Sequence, residues 1–260
     1  MTVVEKDGVR IACTSEGPAH APALLCLNAI GTTHELWERQ VAPLAHRYRV
    51  IRYDARGHGA SPAPPGEYAI DDLARDALAV LDAHRVSTAH VCGLSLGGLT
   101  ALWMAVHAPD RVSSLIAANT SARIGSAESW TERITLVRER GMQAVVELAV
   151  PRWFTPAFAE LEPDTHRRFA AMVEDCPVPG YLGCCAALRD ADLRESLAAI
   201  ACPTLVVAGR HDTATPVEAL QFIKDRVPDS QMVTLDAAHL SNVERHAGFT
   251  AAVADFLDRR

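Results

Sequence analysis

The string Gly93-Leu94-Ser95-Leu96-Gly97-Gly98 sets one hydroxyl between two closely spaced glycines. β-like apolar residues precede it and helix formers follow, so it reads as a strand-to-helix turn. Such a turn is too tight for side chains at its flanks, hence glycine at 93 and 97. It lifts the Ser95 hydroxyl above a sheet and aims a helix N-terminus, with its N–H donors and favourable field, at a developing oxyanion. A serine hydroxyl is a weak nucleophile at neutral pH and needs a base held by an acid. On sheets that carry this turn, the chain order is nucleophile, acid, histidine.

Of eleven histidines, His211, His239 and His246 follow the point where strand patterns resume. His246 falls in the last helical pattern, and His211 stands before every later acid. His239 lies in the loop Asp236-Ala237-Ala238-His239-Leu240-Ser241-Asn242, free to reach over a sheet, and is read as the base. Asp212 follows the apolar run Thr204–Ala208, at a strand's C-terminal edge, where catalytic groups gather in open α/β sheets. It is read as the acid, which fixes the imidazole tautomer and stabilises the imidazolium without taking the proton. The end of the preceding strand, Ala118-Asn119-Thr120, has no carboxylate, and Asp236 is too close to His239 in sequence.

An oxyanion needs two N–H donors. Leu96, next after the nucleophile, supplies one, and the loop Asn28-Ala29-Ile30-Gly31-Thr32-Thr33 is expected to supply the other from Ile30. The tight string Asp54-Ala55-Arg56-Gly57-His58-Gly59-Ala60-Ser61 offers Arg56 and His58 either as substrate contacts or as braces for the catalytic loops.

These groups require a scaffold of alternating strands and helices. Val3–Lys6 and Val9–Thr14 flank Asp7-Gly8 as a hairpin. Leu24–Asn28 and Tyr48–Tyr53 are short apolar runs. Ile70, Leu73, Ala74, Ala77, Leu78 and Leu81 fall at helical spacing behind an acidic first turn. Strand Ala89–Cys92, a helix from about Leu96 to His107 and strand Val112–Ala118 follow. The strand signal then stops, and several helices are expected, one from Ala127 to Arg140 ending at Gly141. Alternation resumes with Thr204–Ala208, a helix Val217–Arg226, strand Met232–Leu235 and a final helix with Phe249, Val253, Phe256 and Leu257 on one face. The predicted class is α/β: a mostly parallel sheet with helices on both faces. Residues 1–119 and 196–260 form its core, and 120–195 form a helical lid inserted before the last two strands.

Composition narrows the partners. There are 25 basic against 32 acidic residues, net −7, with no basic run, which argues against nucleic acid and anionic membranes. Seven cysteines cannot all pair and none are spaced C-x-x-C, so they read as free thiols serving as small hydrophobes in a reducing compartment. Residues 86–109 carry no Lys, Arg, Asp or Glu, long enough to span a bilayer, yet their glycines and Pro109 mark a buried strand, turn and helix. With no signal peptide visible, a cytoplasmic protein is expected. Oligomeric state is not written in these features.

The chain resembles a known family. Besides the serine turn, Leu27-Asn28-Ala29-Ile30-Gly31-Thr32-Thr33, Asn119-Thr120-Ser121-Ala122-Arg123-Ile124-Gly125, Pro151-Arg152-Trp153-Phe154-Thr155 and Ala238-His239-Leu240-Ser241-Asn242-Val243-Glu244 look like 3-oxoadipate enol-lactone hydrolases of the α/β-hydrolase fold. The likeness runs almost end to end. Many hydrolases carry His-Gly where this chain has Asn28-Ala29, a departure it shares with the enol-lactonases. The resemblance implies hydrolysis of a small anionic lactone in bacterial breakdown of protocatechuate and catechol, the β-ketoadipate pathway. It implies the same roles for Ser95, Asp212 and His239, and no metal or organic cofactor. Because that substrate carries a carboxylate, the pocket should hold a cation. Trp130, Arg133, Ile134 and Val137 share a helix face. Trp130 and Trp153 are candidate pocket walls and Arg133 a candidate partner for the carboxylate. The alternative is a face that packs the lid onto the core, with Arg133 salt-bridged at its edge.

The fold hosts many chemistries, so a triad does not name a substrate. A broader carboxylesterase or cofactor-free perhydrolase would turn over simple aryl esters comparably. A non-catalytic small-molecule sensor would bind tightly without multiple turnover. Ser95 argues against haloalkane dehalogenation, which needs a carboxylate at that position.

Overall fold

The computed structural model describes residues 1–6 and 8–259. Asp7, within the expected hairpin turn, lies outside them. The strands are β1 (Thr2–Lys6), β2 (Val9–Glu16), β3 (Ala23–Leu27), β4 (Arg49–Tyr53), β5 (Ala89–Leu94), β6 (Val112–Ala118), β7 (Thr204–Gly209) and β8 (Ser230–Leu235). They form one sheet in the order β1-β2-β4-β3-β5-β6-β7-β8. β2 runs antiparallel to both its neighbours, and β4 through β8 pair in parallel. β8 starts two residues before the apolar run Met232–Leu235, because Ser230 and Gln231 pair with Thr204 and Leu205. This edge strand is only half-buried, so hydrophobicity marks it poorly.

α1 (Glu38–Leu44) follows β3, and α2 (Ile70–Ala83) follows β4. α3 (Leu96–His107) follows β5. Five helices lie between β6 and β7: α4 (Ala127–Arg140), α5 (Gln143–Ala149), α6 (Pro156–Leu161), α7 (Pro163–Glu174) and α8 (Val178–Asp190). α9 (Val217–Arg226) precedes β8, and α10 (Ser241–Glu244) and α11 (His246–Leu257) close the chain. The uncharged stretch 86–109 is spent on β5 and α3, as its residues suggest. Among the described residues no helix is long and apolar enough to cross a membrane.

Both sheet faces are covered, which is why the central strands read as continuous apolar runs. Along β3, Ala23, Leu25 and Leu27 join the core that holds Leu73, Leu99 and Leu220. Leu24 and Cys26 join the core on the other face, with Trp37, Phe249, Val253 and Phe256. All seven cysteines are free, and only Cys202 is less than fully buried.

Chain direction across the sheet decides where a site can form. β3 lies between β4 and β5, so the chain leaves β3 toward one side and later returns to its other side. This is a switch point, and the loops beyond β3 and β5 face each other across its crevice. Those loops carry residues 28–33 and the Ser95 turn. One more contact fixes the architecture. The loop after β4 meets α8 backbone to backbone: a Cβ on Gly57 would lie 2.3 Å from Gly180 Cα, and one on Gly180 2.2 Å from the Gly57 carbonyl oxygen.

Candidate active site

The glycines of the serine turn are dictated by contact. A Cβ on Gly93 would lie 2.1 Å from the Gly97 carbonyl oxygen, one on Gly97 2.2 Å from that of Leu27, and one on Gly98 2.6 Å from Thr120. Ser95 itself sits at φ 57°, ψ −118°, a conformation that costs a non-glycine residue about 1–3 kcal/mol. The surroundings impose it: Ser95 N–H donates to Ala118 O at 3.1 Å, and the Thr120 hydroxyl donates to Ser95 O at 2.7 Å.

His239 and Asp212 are both nearly buried, 4% exposed each. His239 Nδ1 lies 2.8 Å from Asp212 Oδ2. An ionised carboxylate only accepts, so Nδ1 carries the proton and the Nε2 lone pair is left free as a base. Burial pushes the Asp212 carboxyl up. The charge of His239 and hydrogen bonds from His239, Asn119 and Thr215 outweigh it and hold the carboxyl well below the usual carboxylate range. Oδ1 accepts from Ala214 N–H (2.8 Å) and Thr215 N–H (3.0 Å), and Oδ2 also accepts from the Thr215 hydroxyl (2.7 Å). His211 is drawn elsewhere, to exposed Asp236 at 2.8 Å.

Sequence reasoning missed Asn119. It stands at the end of β6 with φ 41°, fully buried. Its amide donates to Asp212 Oδ2 at 3.0 Å and to Ala238 O at 3.2 Å, while its oxygen accepts from the Ser241 hydroxyl. One amide thus ties Asp212 to the loop that carries His239. The available signal was an asparagine, tolerant of positive φ, at a strand end otherwise filled with small apolar residues. Glu244 was missed as well: it accepts from Ala238 N–H and the Thr155 hydroxyl and so ties the same point of that loop to residue 155.

Leu96 opens α3, where the first backbone N–H groups have no intrahelical acceptor. In the loop beyond β3, the Ala29 carbonyl accepts from Thr32 N–H at 3.2 Å and from the Thr32 hydroxyl at 2.8 Å. In a trans peptide the N–H points opposite the carbonyl, so Ile30 N–H is directed away from that turn. Neither the Leu96 nor the Ile30 N–H has an acceptor among the described residues.

Ser95, His239, Ile30, Trp130, Arg133 and Trp153 line one cavity of about 240 Å³. Asp212 lies behind His239, and Thr213 and Ala214 complete that side. Two further residues were missed, Tyr181 and Arg152. The Arg133 guanidinium donates to the Tyr181 hydroxyl at 3.1 Å and stands over the Trp130 ring, 5.9 Å from its centroid. Among the described residues no carboxylate pairs with Arg133, so the expected alternative of a salt-bridged edge does not hold. Trp130 is pinned by its own indole N–H, which donates to Ile124 O at 2.6 Å. Ser95 and His239 share the cavity without a direct hydrogen bond, the looser arrangement common before substrate binds. Arg56 does not reach it: its guanidinium grips Asp76 through bonds of 2.6 and 2.7 Å.

A serine on a strained strand-to-helix turn, backed by a His–Asp pair across a switch point, is a hydrolase arrangement. The profile of the alpha/beta hydrolase fold matches residues 22–246. This chain belongs to the α/β hydrolase fold family. Among its relatives, 3-oxoadipate enol-lactonase 2 of Acinetobacter baylyi is 42% identical over 94% of this chain and 91% of its own. A protein of Variovorax paradoxus, provisionally named a carbamate hydrolase, is 33% identical over 94% of both chains. The crystal structure of the enol-lactonase from Burkholderia xenovorans LB400 superposes with a TM-score of 0.97 at 37% identity, over 99% of this chain and 100% of that one. The α/β hydrolase fold thus extends through the helical segment α4–α8, which bounds the cavity.

Proposed function

We propose that this α/β hydrolase opens 3-oxoadipate enol-lactone to 3-oxoadipate through an acyl-enzyme on Ser95. The observation that carries the reading is a guanidinium, Arg133, without a carboxylate partner among the described residues, in the same cavity as Ser95 and His239. A half-buried cation left unpaired is completed by an anionic ligand, and the lactone brings a carboxylate. The names of the enol-lactonase relatives support it.

In this mechanism Ser95 Oγ attacks the lactone carbonyl carbon while His239 Nε2 takes its proton, general-base help of about 10²–10⁴-fold. The carbonyl oxygen becomes an oxyanion held by Leu96 and Ile30 N–H groups, each contributing about 3 kcal/mol in comparable sites. Its collapse breaks the ring C–O bond. The departing enolate oxygen is stabilised by its own vinyl system and needs less acid assistance than an amide nitrogen; it takes the proton that His239 received from Ser95, giving an enol that becomes the ketone and returning His239 to its neutral form. Water, deprotonated by His239, then attacks the acyl-enzyme and releases the second carboxylate. Asp212 stays ionised and steadies the imidazolium.

The test is loss of the enol-lactone's ultraviolet absorbance with purified protein, beside a neutral aryl ester and a carbamate at equal concentration. The lactone should be consumed with the highest kcat/KM, and Ser95→Ala should reduce the rate to near background. Folded protein that leaves the lactone at its buffer rate sinks the assignment. Faster turnover of the aryl ester points to a broad esterase, and of the carbamate to the chemistry named for the Variovorax relative.

A further inference from the structure

The peptide between Ile30 and Gly31 is held from outside its own loop. Gly31 N–H donates to His58 Nε2 at 2.8 Å, and His58 is 1% exposed. The other ring nitrogen, Nδ1, lies 3.2 Å from the Arg56 carbonyl oxygen. That oxygen only accepts, so Nδ1 carries the proton and Nε2 keeps the lone pair that Gly31 requires. Burial pushes the His58 pKa down, which favours the same neutral ring.

The turn Ala29–Thr32 is closed by Thr32 N–H to Ala29 O, with Gly31 at φ +78° in the third position. A positive φ there marks a type II turn, which differs from type I by a flip of the central peptide. That central peptide joins Ile30 to Gly31, and His58 receives its N–H in only one of the two flips. Gly31 N–H is thereby removed from the cavity side, leaving Ile30 as the loop's donor there.

We propose that His58 is a positioning residue for the oxyanion loop: by holding Gly31 N–H it locks the turn in the flip that keeps this N–H off the cavity side, and so steadies the turn from which Ile30 N–H is offered to Ser95. The proposal rests on the acyl-transfer reading above but not on the identity of the substrate. His58 does not touch the catalytic cavity. It lines a separate groove behind the loop with Thr32, Met172 and Cys176. Its own loop is rigid enough to serve as an anchor. Asp54 accepts from Ala60 N–H at 2.9 Å and His34 N–H at 2.8 Å, the Ser61 hydroxyl donates to Asp54 O at 2.6 Å, and Arg56 is bound to Asp76. A ring so anchored cannot follow the turn if the turn moves.

Two substitutions separate the role from simple packing: His58→Leu, of similar volume without an acceptor, and His58→Gln, whose side-chain carbonyl can accept from Gly31. The readouts are kcat, KM, and affinity for a phenylboronic acid, which forms a tetrahedral adduct on an activated serine. In His58→Leu, kcat and boronate affinity should fall together about 10-fold, a fraction of the 10²–10³ lost when one oxyanion donor is removed. KM should stay within about twofold, as expected when only transition-state binding is lost. His58→Gln should recover most of both. Folded His58→Leu with unchanged kcat and boronate affinity overturns the proposal, even if its melting temperature falls. If His58→Leu does not fold, the ¹⁵N resonances of the His58 ring in the unaltered protein decide. An Nδ1–H tautomer with scalar coupling from Gly31 N to Nε2 sustains the proposal, and an Nε2–H tautomer overturns it. Protein that binds the boronate but leaves the lactone intact contradicts the substrate assignment alone, and His58 is then judged on boronate affinity.

Discussion

Replacing Asn119 by alanine separates holding the acid from holding the fold. Three hydrogen bonds go with the amide: those to Asp212, Ala238 and Ser241. A buried hydrogen bond contributes about 1 kcal/mol and one to a charged group about 1.5–3, so the loss comes to about 4 kcal/mol. Alanine is also less at ease than asparagine at φ 41°, which adds to the cost. At about 2–4 °C per kcal/mol for a domain of this size, the melting temperature should drop by about 10 °C. Activity should suffer far less. Asp212 keeps four donors, the Ala214 and Thr215 N–H groups, the Thr215 hydroxyl and His239 Nδ1. At a temperature where the variant is folded, kcat should fall less than about 10-fold, against about 10⁴ for loss of the acid in comparable triads. Urea unfolding and lactone turnover at 15–20 °C, in the range where such domains are near maximum stability, are the assays. An unchanged unfolding midpoint would show that the amide network adds no stability. A kcat loss near that of Asp212→Asn would show that the four remaining donors do not hold the carboxylate.

Arg133→Met keeps the aliphatic stem and removes the cation. It should raise KM for the anionic lactone about 10-fold, the low end for a charged hydrogen bond, with little change in kcat. KM for a neutral aryl ester should not move, and an equal rise for both substrates would refute a carboxylate contact. The pH dependence of stability tests the acid. The folded pKa of Asp212 lies below its unfolded value of about 3.9, so its contribution is complete above that value and is lost as pH falls through the folded pKa. Urea unfolding should therefore show the gap between the unaltered protein and Asp212→Asn narrowing as pH falls below about 4. A gap that widened on acidification would contradict the sign.

What could be read from the chain alone was what short-range geometry dictates. The glycines around Ser95 follow from a turn only a few residues long, and α4 closes at Gly141, whose φ of 68° suits a residue without a side chain. The placement of Ser95, Asp212 and His239 just beyond strand ends follows from where the apolar runs stop. Asn119 was not legible, because its partners lie 93, 119 and 122 residues away. Helical spacing put Arg133 beside Trp130. It could not reveal that the side chain meets Tyr181, 48 residues on, instead of a carboxylate. His58 was left between two roles for the same reason: a histidine in a tight loop says nothing of which backbone N–H it will receive.

The contact between Gly57 and Gly180 governs how this protein can exchange parts with its relatives. Substrate preference in such a scaffold would be easiest to alter by importing the helices α4–α8 whole, as a cassette. Residue 180 travels with that cassette, whereas residue 57 stays with the recipient, and the two backbones touch where no Cβ fits. A donor with any larger residue at 180 would push the helix off the loop that carries His58, and so disturb the catalytic loops before its own specificity could be expressed. The two positions act as a pair, and a productive chimera needs a donor that brings glycine to this crossing.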